Sequence, residues 1–134
     1  MGKTRRKRKR RRIKSPNGLE KKVASLAPRA KPLRFTGNRK FWVELPLLGK
    51  RKNPDFVVPG PNPSRPLQGV TKVIEAFGDY YHSEKFTGVP EKQHERDLIK
   101  AYAAVGIMCL VIWESHVKDN PQAVRQRIWR FLRK

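Results

Sequence analysis

The run IMCLVIW, Ile107–Trp113, constrains the fold more than any other stretch of this chain. An unbroken apolar segment too short to cross a bilayer reads as a strand covered on both faces. Helices must supply the covers, which makes the chain an α/β protein. A second segment, GVTKVIEAF (Gly69–Phe77), reads the same way except that Glu75 sets a carboxylate in mid-strand. Burying a carboxylate without a partner is costly, so Glu75 calls for one.

The remaining elements follow from period and punctuation. SPNGLEKKVASLAP predicts a short helix capped by Ser15 or Asn17, with Leu19, Val23 and Leu26 as its apolar stripe and Pro28 as its end. KFWVEL alternates as a strand with Phe41, Val43 and Leu45 on one face, and NPDFVVPG predicts a second strand between Pro54 and Pro59-Gly60. PGPNPSRP is a stiff loop between strands. A helix is expected over Pro90–Val105, with Leu98, Ala101, Tyr102 and Val105 inward and Gly106 as its stop. Trp113 and Glu114 close the IMCLVIW strand, and a last helix from Asn120-Pro121 buries Val124, Ile128, Phe131 and Leu132. The expected fold is thus a mixed β-sheet of about four strands flanked by α-helices.

Charge divides the chain. The whole carries 32 Lys+Arg against 11 Asp+Glu, a net +21, and ten of the basic residues lie in Lys3–Lys14 with no acid among them. Residues 1–14 are therefore expected to form a disordered basic arm, because like charges repel and nothing there can build a core. Residues 15–134 form the folded domain. Such a field concentrates polyanions, so nucleic acid is the expected partner, through phosphate contacts from Arg5, Arg6, Lys7, Arg8, Lys9, Arg10, Arg11 and Arg12. The arginines of the last helix, Arg125, Arg127, Arg130 and Arg133, can add to it. A single cysteine, Cys109, excludes an internal disulfide and a cysteine-rich zinc site. With no long apolar span and no apolar leader, a soluble protein of a reducing, cytoplasmic compartment is expected, with no membrane partner.

Acids gather where the odd strand lies: from Asn53 onward the count is twelve basic to nine acidic. Asp55 enters one strand and Glu75 lies inside the next, and successive strands tend to pair. Two carboxylates that close repel unless a cation intervenes, and oxygen ligands suit Mg²⁺, with Mn²⁺ as a substitute. His82 follows Glu75 past Gly78 and can move a proton near neutrality. Glu20 lies at the edge of the first helix's apolar stripe. Glu91, His94 and Glu95 extend the stripe of Leu98, while Asp97 points sideways.

NPDFVV, KVIEAFGDYYH and GIMCLVIWE, in this order, resemble the very short patch repair endonucleases and their phage homing-endonuclease relatives. These belong to the EDxHD branch of the PD-(D/E)xK nuclease superfamily, and the likeness covers Ser15–Leu132. The resemblance implies a restriction-endonuclease-like fold with Asp55 as metal-binding aspartate and Glu75 at the second acidic position. It further implies the Ala76 carbonyl at the metal and His82 as catalytic histidine. Glu20 stands as the first-helix acid and Glu95 as the last acid, with His94 and Asp97 as near competitors for that last place. Phe77 stands where the superfamily has lysine, which agrees with the histidine-using branch, and no zinc is expected.

The function so implied is a Mg²⁺-dependent endonuclease acting on double-stranded DNA, a homing or nicking enzyme of a phage or mobile element working in the host cytoplasm, as monomer or homodimer. Two rivals stand beside it. One is a non-catalytic basic nucleic-acid-binding protein, which the charge fits equally well but the acids do not. The other is a Holliday-junction resolvase, with the same chemistry on branched DNA.

Overall fold

The computed structural model describes residues 17–30, 32–78, 88 and 90–134. His82, the tyrosine pair Tyr80-Tyr81 and the arm residues Arg5–Arg12 lie outside the described residues. The elements are α1 (Gly18–Leu26), β1 (Arg34–Phe35), β2 (Val43–Leu45), a 3-10 turn (Pro46–Leu48), β3 (Lys50–Lys52), β4 (Phe56–Val57), β5 (Lys72–Phe77), α2 (Glu91–Ala103), β6 (Met108–Trp113), α3 (Glu114–Asp119) and α4 (Pro121–Arg133).

A four-stranded mixed sheet of order β1-β4-β5-β6 forms the centre, as expected of an α/β chain. Its β1–β4 and β4–β5 pairs are antiparallel and its β5–β6 pair is parallel. Alternation along β5 splits the interior in two. Ile74 and Ala76 face a layer built with α1 and α4 through Val23, Leu26, Val124, Ile128 and Phe131. Val73 and Phe77 face a second layer that holds Leu98, Ala101 and Tyr102 of α2 and Val43 and Leu45 of β2. Full burial of such side chains stabilises by about 1.5–3 kcal/mol each. Both layers are needed because β5 and β6 are apolar on both faces.

The ends are set by local chemistry. Asn17 caps α1 by accepting the Glu20 N–H at 2.8 Å, while Glu20 Oε1 accepts the Asn17 N–H at 3.0 Å, a reciprocal capping box. Asn120 caps α4 by accepting the Ala123 N–H, with Pro121 in its first turn. Lys72 Nζ donates to the carbonyls of Leu132 and Lys134, binding the end of α4 to the start of β5. Among the described residues no helix is long and apolar enough to cross a membrane.

Several expectations are corrected. KFWVEL does not join the central sheet; β2 pairs with β3 in a separate two-stranded hairpin. The chain after Trp113 turns at once into α3, so Glu114 opens a helix rather than closing a strand. Val105 is exposed, because α2 ends at Ala103 and the chain then turns through Gly106 at φ 78°.

Candidate functional site

The site begins with a proline. Val58 N–H donates to the Lys72 carbonyl at 3.0 Å, and Phe56 faces Ile74. Hydrogen-bonded pairs alternate in an antiparallel ladder, so the next exchange would join residue 54 to Ala76. Residue 54 is Pro54, which has no N–H to give. The ladder stops there. Its carbonyl instead accepts the Thr36 hydroxyl at 2.8 Å, and the Ala76 N–H goes to Asp55 Oδ2 at 2.8 Å. The Asp55 carboxylate thus occupies the gap at the end of the β4–β5 ladder, and the Ala76 carbonyl faces the same gap from β5.

Two further acids enter that gap. Glu20, buried on α1, lies close enough to Asp55 for its charge to act on that carboxyl. Glu75, 2% exposed, feels the charge of Asp55 from β5. The three carboxylates run as a chain with Asp55 in the middle. Each is oriented through one structural hydrogen bond: Glu20 to the Asn17 N–H, Asp55 to the Ala76 N–H, and Glu75 Oε1 to the Tyr102 hydroxyl at 2.8 Å. Lys52 Nζ, at the end of β3, stands 3.8 Å from Glu75 Oε2 and is the cation of the cluster.

Crowding of acids away from water decides their protonation. Burial pushes Asp55 up to about 6; the Ala76 N–H opposes this, the charge of Glu20 adds to it and Lys52 opposes it. Burial pushes Glu75 up to about 8, opposed by Lys52, reinforced by Asp55 and opposed by the Tyr102 hydroxyl. Burial, then the Glu75 charge, raises the Tyr102 phenol, so that it stays a donor. His94 stacks on Phe77 with ring centroids 5.1 Å apart. Burial first, then Lys52 and Lys50, hold its imidazole below the ordinary value.

The structure places Glu20, Asp55, Glu75 and Ala76 as neighbours. No hydrogen bond or ion pair ties Glu95 to them among the described residues. Glu95 sits half-buried on α2, where its charge acts on the Cys109 thiol. Tyr102, two turns further along the same face of α2, is the residue that meets Glu75. Asp97 accepts a hydrogen bond from Gln93 at 2.6 Å on the helix surface. Lys52 and Tyr102 are the partners that sequence reasoning missed. Lys52 lies in KRK, which reads as a solvated run, and Tyr102 reads as an ordinary core residue.

No protein-family model, no curated protein and no solved structure matches the chain.

Among the described residues no three His, Cys, Asp or Glu side chains already close on one point as a metal-ligand set. The donor set nevertheless fits a hard divalent cation. All its members are oxygens, and burial above all raises Asp55 and Glu75, so both hold protons more readily than exposed acids do. A divalent ion could take the place of those protons.

Proposed function

We propose that this protein is a metal-dependent DNA endonuclease with a restriction-endonuclease-like fold, akin to the very short patch repair enzymes. One observation carries the reading: three carboxylates packed together in a chain of net charge +21. A protein built only to hold a polyanion gains nothing from buried acids beside its binding surface, since they repel phosphate. Acids that hold a cation attract it.

In this reading Asp55, Glu75 and the Ala76 carbonyl hold Mg²⁺ or Mn²⁺, with Glu20 supporting Asp55. When bound, the ion supplies the positive charge that polarises the scissile phosphate and lowers the cost of forming the nucleophile. The Ala76 N–H fixes the rotamer of Asp55, and Tyr102 and Lys52 fix Glu75. His82, in the segment after β5, is the group assigned to proton transfer, and Arg5–Arg12 clamp the duplex through its phosphates.

A supercoiled plasmid nicking assay tests the proposal with wild-type protein, Asp55→Ala and His82→Ala, each in Mg²⁺ and in EDTA. Cutting by wild type in Mg²⁺ alone, with a loss of at least about a hundredfold in each variant, is the expected result. Equal cutting by all three sinks the site assignment. Binding without cutting under any divalent metal favours the non-catalytic binder, and cutting confined to four-way junctions favours the resolvase.

A further inference from the structure

Among the described residues, Arg39 is the one that is not glycine yet sits in the left-handed backbone region, at φ 67°. A glycine would adopt this conformation without strain. Strain of this kind persists only where the surroundings impose it, and here they can be named. The Arg39 N–H donates to Asn53 Oδ1 at 3.2 Å, and its carbonyl accepts the Trp42 indole N–H at 2.9 Å. The indole is held in turn by the Arg51 guanidinium, 4.7 Å from its ring centre. Asn53 also donates to the carbonyls of Thr36 and Phe41, each at 2.6 Å, so one amide grips the start, middle and end of the turn.

This turn is fixed to the carboxylate cluster. The Asp55 carbonyl accepts the N–H groups of Thr36 at 2.8 Å and Gly37 at 3.1 Å. Gly37 passes so near that a Cβ on it would lie 3.5 Å from Asp55 Oδ1 and 2.9 Å from the Phe35 ring. Both backbone groups of Arg39 are thus tied down, by the side chains of Asn53 and Trp42, while its own side chain is exposed. Among the described residues no hydrogen bond or ion pair engages the guanidinium. The fold spends conformational freedom to present an unengaged cation at the edge of the site.

We propose that Arg39 is a phosphate-binding residue that anchors the nucleic-acid backbone beside the carboxylates and so positions the phosphodiester that reaches Asp55. The inference rests on the nucleic-acid reading above. A guanidinium grips a phosphate through two parallel N–H groups, and a prepositioned backbone leaves less to order on binding. Lys40, exposed next to it, extends the same edge.

The test is binding of full-length protein to a fluorescein-labelled blunt DNA duplex in EDTA, across a salt series. Wild type is compared with Arg39→Gly, Arg39→Lys and, as a control for one charge lost elsewhere, Lys100→Ala. Arg39→Gly is expected to melt no lower than wild type, because it relieves the strained backbone, yet to bind about tenfold more weakly. The slope of log K against log salt should fall by about 0.9, the contribution of one phosphate contact. Arg39→Lys should recover most of the slope, and Lys100→Ala should leave it unchanged. The proposal is overturned by an Arg39→Gly protein whose affinity and slope match wild type or Lys100→Ala, or by a wild type that shows no salt-dependent binding. No metal is present, so a protein that never nicks plasmid but loses slope with Arg39→Gly refutes the catalytic reading and leaves Arg39 as a phosphate contact beside the carboxylates.

Discussion

Asp55 Oδ2 accepts the backbone N–H of Ala76 at 2.8 Å, a bond that Pro54 makes available by ending the ladder one residue earlier. Stability and activity should therefore separate at this position. In Asp55→Asn the amide oxygen can still accept from Ala76, so urea denaturation should show a change within about 1 kcal/mol while nicking is lost. Asp55→Ala leaves the Ala76 N–H without its partner and should cost about 1–3 kcal/mol as well as activity. Loss of activity in Ala but not in Asn would remove the carboxylate from the chemistry.

Stability of the metal-free protein should fall as pH rises. Both acids have folded-state values above their unfolded ones, Asp55 at about 6 against 3.8 and Glu75 at about 8 against 4.5. Between those limits the folded state binds more protons than the unfolded one, so the stability present below about pH 4 is lost progressively up to about pH 8. Melting temperature in EDTA should decline across that window and then level. Glu75→Gln should flatten the upper half of the decline, and Mg²⁺ should raise the melting temperature more at pH 8 than at pH 5. A flat profile in wild type would mean that these acids are not desolvated.

Tyr102 donates to Glu75 Oε1 from across the second core layer. Tyr102→Phe keeps the packing and removes one buried hydrogen bond, so a loss of about 0.5–1.5 kcal/mol is expected in chemical denaturation. In the proposed reading it should also weaken activation by Mg²⁺, seen as a higher metal concentration for half-maximal nicking. Unchanged metal dependence would make Tyr102 a packing residue only.

Asn53 should prove sensitive to substitution although it is only part-buried. Asn53→Ala removes three hydrogen bonds from the turn over Asp55 and should destabilise by about 1–3 kcal/mol. Accelerated amide exchange at Arg39 would report that the turn has loosened. Slow exchange there in the variant would show that the turn holds without the amide.

Much of the fold could be read from the chain because period and punctuation agree along β5, β6, α1, α2 and α4. The convergence of Asp55 on Glu75 was legible too, since consecutive strands commonly pair and each acid stands in a short apolar run. What escaped was written without pattern. Lys50–Lys52 is wholly charged, so nothing marks β3 as a strand, and β1 has only two residues. α3 follows β6 with no capping side chain or turn residue between them. Glu95 shares a helical stripe with Leu98 and Tyr102, and only the packed angle of α2 decides which of them meets the carboxylates. Lys52 reaches Glu75, and Asn53 reaches Thr36 and Phe41, by tertiary contact, which local sequence does not encode.

Glu20 arrives on α1 from one core layer and Glu75 points into the other, with Asp55 at the seam between them. A random-mutagenesis map of inactivating substitutions should accordingly show no compact hot zone. It should scatter over both slabs of the interior, including positions far from any acid, because sliding either slab would pull one member of the trio out of line.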